Sequence, residues 1–471
     1  MVSLGVDVGG TGCKCVAFGE DGTQLAVAYE EYPVAVGTDR LPSDILTDCV
    51  FHVIRLCAEK VKDVAAITVS SFGESFVPLD AKGNAMTDIL LYYSDGRNEA
   101  FETLVDQVGR QKIMQITKVL PDASYSLAKM LLTKQADKFL FVAGFLAWKL
   151  SGIMATDVSL ACRSMLYDVE RGCWSQELLE AAGLREQQLP PVLPAGTCLG
   201  SILPECAAKL GLPETVKIVL GVHDQIAGAL GAGVQAQGDA VDICGTCECL
   251  TPLFSKLPGE EFACSNYACV PYFGSFVTYA YNVSAGSVVR WYRDTFGCDY
   301  KTMNSTCPDR PTDLLVLPFL QGMGGTPEVD PSAVGTIVGL STKTRLPEIY
   351  RAMLEGITYE LRYNVELLRR SGVKVTRLLA AGGGARSLPW LQIKADILNC
   401  PVIPVSAEET GAMGSAILGF AAVTQQEPFA IAERFAHYGS AVMPNEEHSR
   451  IYEETYKTYK ALRCLYTERR K

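Results

Sequence analysis

The chain has 471 residues, 48% of them apolar and 20% charged, a composition that fits a globular protein and excludes a disordered one. The formal net charge of −11 is spread along the sequence and not gathered in a tail. That balance argues against nucleic acid or an anionic membrane as the main partner and leaves a small molecule as the expected one.

The N-terminus, MVSLGVDVGGTG, lacks a basic start followed by a long apolar core, so no export signal is expected and a cytoplasmic setting is. LGVDV leads into a Gly/Thr turn, CKCVAF runs on as a strand, EDGT reverses the chain, and QLAVAYEEY returns as a further strand. A helix is expected around 43–60, then the strand VAAITVSS at 64–71, then a hairpin turn within FVPLDAKGNAM. The apolar run FLFVAGFLAW (139–148) is half of the ~20 residues a membrane span needs, and reads as a buried helix. KIVLGV (217–222) reads as a strand and HDQIAGALGAG as a helix of small residues.

The pattern then restarts with GDAVDICGTCECL, followed by a hairpin-like stretch at 270–282 and the helix SVVRWYRDTF. Residues 345–372 carry Ile357, Leu361, Val365 and Leu368 at helical spacing and stop at Gly372. A strand, VTRLLAA, runs into GGGARS, which opens the helix LPWLQIKADIL. Alternating strands and helices predict an α/β layer architecture. The restart places a domain boundary near 234, giving domains 1–234 and 235–471.

Seventeen cysteines without an export signal imply a reducing compartment in which buried thiols behave as small apolar groups. Cys244, Cys247 and Cys249 form the densest group. A structural zinc site wants a second pair at similar spacing, and Cys264 and Cys269 do not supply one, so these thiols are expected to pack and not to hold metal.

The restart repeats a motif. Residues 6–12 read VDVGGTG and residues 241–247 read VDICGTC. Backbone N–H groups, a hydroxyl and a cation can hold a phosphate chain where no side chain blocks close approach. Gly9 and Gly10 remove Cβ atoms, Thr11 offers a hydroxyl, and Lys14 lies three residues on. Asp7 suits magnesium, which prefers oxygen ligands and keeps several waters. Gly245 and Thr246 repeat the Gly/Thr pair. Either turn alone is equally a plain hairpin. Two matching turns opening two α/β halves predict the duplicated actin-like (ribonuclease H-like) ATPase fold, two domains with a cleft between them.

Longer stretches carry a family resemblance. GVDVGGTGCK, YYSDGR (92–97), ATDVSLACRSMLYDVERGCW (155–174), GVHDQIAGALGAG (221–233), GTCECL (245–250), DPSAVGTIVGL (330–340) and AGGGARSLPWLQIKADILNCPV (381–402) resemble the FGGY carbohydrate kinases. The similarity runs from residue 4 to about residue 423. It implies transfer of the γ-phosphoryl group of ATP, with Mg2+, to a hydroxyl of a sugar or polyol, between two domains that close on the substrates. A pentulose such as xylulose is the favoured acceptor, with polyols and deoxyhexuloses as alternatives.

Asp224, between a strand and a helix, reads from the residues alone either as a helix cap or as a base for the attacking hydroxyl. The resemblance decides for the base. It also implies substrate contacts for Gln225 and His223, for Gly73 and Glu74 in the loop SSFGES (70–75), and for Asp95 and Arg97, whose other reading is a surface ion pair. On the nucleotide side it implies Gly10, Thr11, Lys14, Gly245, Thr246, Gly286, Arg290, Gly383 in the run 382–384, and Ser387, where relatives often carry Asn. A silent sugar or ATP sensor and an actin-like ATPase with a protein partner are the competing classes. The sensor is disfavoured by the presence of Asp7, Thr11, Asp224 and Thr246, the second class by the sugar-site stretches. No nucleic-acid or membrane partner is expected, and a homodimer is left open.

Overall fold

One strand order occurs twice in the chain. The computed structural model describes every residue except Val36, Glu260, Glu261, 263–266 and 469–471, so Cys264 lies outside the described residues. In the first unit, Val2–Val8 pairs antiparallel with Gly12–Gly19 and parallel with Val64–Ser71. Gln24–Glu31 extends the sheet beyond Gly12–Gly19, and Lys217–His223 lies parallel to Val64–Ser71 on the other side. In the second unit, Asp239–Cys244 pairs antiparallel with Glu248–Phe254 and parallel with Arg377–Ala381, which lies parallel to Val402–Pro404. Each half is thus a hairpin whose first strand begins a parallel run, with a short turn at the hairpin tip.

The chain forms two compact units, one of Met1–Gly233, Cys269–Gly274 and Glu409–Ala436, the other of Val234–Ala268, Ser275–Glu408 and His437–Lys471. These differ from a division at 234 chiefly in the segment Glu409–Ala436, which belongs to the first unit. Backbone packing explains its place. The helix Thr410–Thr424 lies so close to Val2–Val8 that a Cβ on Gly5 would stand 1.8 Å from the Ala412 carbonyl oxygen. It also meets the helix Asp224–Gly231, where a Cβ on Gly414 would stand 1.9 Å from the Ala227 carbonyl oxygen. Ser415 and Ser70 hydroxyls meet at 2.6 Å within this contact. The small residues of GVHDQIAGALGAG and TGAMGSA therefore serve backbone approach, which a sequence division by halves does not see.

The expected elements form, with one change. The helix spans Leu346–Arg370, and Ile357, Leu361, Val365 and Leu368 are all buried. The run 139–148 is not one helix: Lys138–Phe141 is a strand paired with Phe76–Leu79, and the helix is Val142–Ser151. Phe139, Leu140 and Phe141 are bulky, two of them aromatic, and strand pairing wins over helix there. No helix among the described residues is long and apolar enough to cross a membrane.

Candidate active site

The first Gly/Thr turn closes with the Gly9 N–H donating to the Gly12 carbonyl at 2.9 Å, and Tyr32 braces it, its hydroxyl donating to the Gly9 carbonyl at 3.1 Å. Tyr92 lies over the turn, so a Cβ on Gly10 would stand 2.9 Å from the ring. Thr11 is exposed. Lys14 does not stand alone: its ammonium donates to Glu409 Oε2 at 2.6 Å, at the start of the helix Thr410–Thr424. Gly411 in that helix borders Asp7, where a Cβ would fall 2.7 Å from Oδ2. Burial, then the nearby charge of Asp224, pushes the Asp7 carboxyl up to about 7, with Lys14 opposing and Glu409 adding to the rise. The charge of Asp224 and Glu409 at Asp7 is thus opposed by Lys14.

Strand pairing sets Lys217–His223 beside Val64–Ser71, with His223 opposite Ser71. His223 then caps the helix Asp224–Gly231, its Nδ1 accepting the Gln225 N–H at 3.2 Å. Asp224 is thus the first residue of the helix and not its cap, which removes the capping explanation for a carboxylate here. Asp224 Oδ1 lies 2.9 Å from His223 Nδ1, but that nitrogen is turned to the Gln225 N–H. Asp224 Oδ1 and Gln225 Oε1 are both buried without a hydrogen-bond partner. Two adjacent acceptors lacking donors suit the hydroxyls of a polyol.

Gly73 has no room for a side chain, since a Cβ would stand 2.7 Å from His223 Cδ2 and 3.2 Å from Arg163 Cγ. Glu74, with φ of 57°, is only 7% exposed and is held by the Arg163 guanidinium through Nε and Nη2. Arg163 lies within the quoted stretch 155–174, yet the sequence gives no reason to join it to residue 74. Asp95 and Arg97 form an exposed pair, the Arg97 N–H donating to Asp95 Oδ1 at 2.9 Å and the guanidinium 3.8 Å from both Asp95 and Glu102. The structure does not bring this pair onto Glu74 or Asp224 among the described contacts, and the surface ion pair is what it shows.

In the second unit the turn after Asp239–Cys244 closes with the Gly245 N–H donating to the Cys247 carbonyl at 2.9 Å. Gly286, which starts the helix Gly286–Phe296, touches it so closely that a Cβ would stand 1.9 Å from the Gly245 carbonyl oxygen. The exposed Arg290 of that helix donates to Thr246 Oγ1 at 3.0 Å. Gly382 and Gly384 press on Cys244, while Gly383 is exposed. Ser387 is buried. Its hydroxyl caps the helix Leu388–Leu398 and donates to Asn304 Oδ1 at 2.8 Å.

Beneath this turn lies a group the sequence reading missed. Lys394 donates to Asp242 and, at 2.8 Å, to Glu248 Oε1, with all three side chains buried. Burial pushes Glu248 up to about 7 against the pull of Lys394, and holds the Cys244 thiol well above its usual range. Lys394 sits in a helix that reads as apolar, and only its charge inside that pattern could have signalled a buried partner. Among the described residues no group of His, Cys, Asp and Glu side chains is arranged to hold a metal ion, the Cys244–Cys249 cluster included.

These turns and their parallel strands match known proteins. The N-terminal domain of the FGGY family of carbohydrate kinases matches residues 2–231, and its C-terminal domain matches residues 241–423. The chain belongs to the FGGY family of carbohydrate kinases. It is a sugar kinase, with a nucleotide cofactor and a small-molecule sugar substrate. The xylulose kinase of Bacillus subtilis is 26% identical, covering 97% of this chain and 95% of that one. The L-fuculokinase of Escherichia coli is 26% identical over 80% of this chain and 81% of its own. The fold is shared with a ligand-bound xylulose kinase from Lactobacillus acidophilus, with a TM-score of 0.90 at 22% identity over 99% of both chains. A glycerol kinase from Plasmodium falciparum, solved with ADP, aligns with a TM-score of 0.86 at 16% identity over 98% of both. The two-domain actin-like architecture of this FGGY kinase follows from those alignments.

Proposed function

We propose that this FGGY kinase transfers the γ-phosphoryl group of ATP to a hydroxyl of a ketopentose, with xylulose as the leading acceptor and Asp224 as general base. The observation that carries the reading is the buried Oδ1 of Asp224, which has no hydrogen-bond partner and stands at a helix start beside the unpartnered Gln225 Oε1. As the acceptor hydroxyl attacks the γ-phosphorus, its proton passes to Asp224, the oxygen–phosphorus bond forms, and ADP leaves with the bridging oxygen. Gln225, His223 and Glu74 orient the acceptor. Thr246 and Arg290 supply donors for phosphate oxygens.

Magnesium fits the charges around Asp7. Asp224 and Glu409 add their charge at Asp7 while Lys14 opposes them, and a cation that keeps most of its waters needs one or two carboxylates. When bound it would neutralise phosphate charge, with Asp7 as its protein contact.

Xylulose leads because the B. subtilis xylulose kinase aligns over nearly the whole chain, whereas the E. coli L-fuculokinase aligns over four-fifths. A deoxyhexulose is the second reading, supported by that fuculokinase. An ADP-release screen with magnesium and ATP across pentuloses, hexuloses, glycerol and tetritols tests the assignment. D-xylulose is expected to give the highest kcat/KM, and a blank across the panel would refute the phosphotransfer reading.

A further inference from the structure

The loop residues expected at the acceptor converge on one side chain with no assigned role, Arg163. Its guanidinium holds Glu74 Oε1 through both Nε and Nη2. Its Cγ, with the His223 ring, fills the space a side chain on Gly73 would need. The guanidinium also lies 4.9 Å from the centre of the Tyr125 ring, which fixes its plane. Charge at this loop is therefore paired by construction. The neighbouring cation, Lys129, is buried and spends its ammonium on the carbonyls of Leu91 at 2.8 Å, Glu74 at 3.3 Å and Tyr92 at 3.4 Å. His223, which borders Gly73, leads on to Asp224, whose Oδ1 lies 2.9 Å from His223 Nδ1.

We propose that the Arg163–Glu74 pair is a charge filter for the phosphoryl acceptor: the two groups cancel, so the enzyme takes uncharged ketoses and polyols and rejects sugar acids. The proposal rests on the reading of Gly73, Glu74, His223 and Asp224 as the acceptor side. A sugar carboxylate brought to this loop meets the acidic Asp224 and a guanidinium already neutralised, so it gains no compensating attraction for the water it loses. A neutral acceptor suffers no such loss. Removing the Glu74 charge takes away the carboxylate that holds the Arg163 guanidinium, and the same loop then favours an anion more than before.

D-xylulose and the size-matched acid D-xylonate read the filter, through kcat/KM and through the shift in melting temperature each produces on the full chain. The wild type is expected to prefer D-xylulose by about tenfold or more in kcat/KM. Glu74→Gln is expected to raise the xylonate-to-xylulose ratio of kcat/KM by about tenfold or more and to enlarge the xylonate melting shift relative to that of xylulose, and Glu74→Asp, which keeps the charge, to leave the kcat/KM ratio within about threefold of wild type. Equal use of the two by the wild type, or an unchanged ratio in Glu74→Gln, would overturn the filter. If Glu74→Gln does not fold, the wild-type preference in both assays decides. A chain that phosphorylates no acceptor would defeat the acceptor reading, while the melting shifts would still report which charge the site binds.

Discussion

The two Gly/Thr turns share a sequence and differ in what lies under them. At the first, Asp7 is partly buried, its carboxyl pushed up to about 7, and Lys14 and Glu409 pair beside it where solvent reaches both. At the second, Asp242 is 0% exposed and bonded to Lys394, itself 2% exposed, with Glu248 held by the same lysine. The same Asp, two residues before the same kind of turn, is kept under charge strain in one half and neutralised in the other. A duplicated fold can thus set the same Asp in two different charge environments.

The contrast breaks most visibly at the two lysines. Lys394→Met would strand two buried carboxylates, and a loss of about 3–5 kcal/mol in urea unfolding is expected. Lys14→Met, at a half-exposed pair, should cost no more than about 1 kcal/mol. Equal losses would erase the distinction between the turns.

Asp7→Asn sharpens it from the other side. The folded state disfavours the ionised Asp7, so the variant should be as stable as wild type or more so, while turnover falls about 100-fold through loss of the magnesium contact. Gly286→Ala places a methyl group against the Gly245 carbonyl, and a loss of about 1–3 kcal/mol with a raised nucleotide KM is expected. The corresponding acceptor KM should stay near wild type.

A pH dependence tests the second turn by itself. The Glu248 carboxyl is raised from 4.5 to about 7, so between those values the folded state holds more protons than the unfolded one. That stability is complete below about pH 4.5 and is lost as pH rises through about 7. Glu248→Gln removes the term, so its stability relative to wild type should grow across this window. Parallel curves for the two proteins would show that Glu248 does not titrate there.

Much of this was legible in the sequence, because local rules set it. Alternation, turn residues and helical spacing gave both hairpins and the helix at 345–372, and the repeated turn pointed to a duplicated α/β fold. What escaped depends on contacts between distant positions. Arg163 meets Glu74 across 89 residues, Lys14 meets Glu409 across 395, and Lys394 meets Asp242 across 152. No periodicity encodes such pairs. The return of Glu409–Ala436 to the first unit rests on glycine-to-backbone contacts, which composition marks only as small residues. His223, and not Asp224, capping its helix is likewise a matter of a side-chain rotamer.

The central claim is that Asp224 accepts the proton of the attacking hydroxyl. Single-turnover phosphoryl transfer by Asp224→Asn, with saturating D-xylulose and magnesium-ATP, tests it most directly. Asparagine keeps the size of the side chain and cannot take up the proton, so a fall of about 10²–10⁴-fold is expected, with nucleotide binding unchanged. Transfer within a few-fold of the wild-type rate would contradict the account.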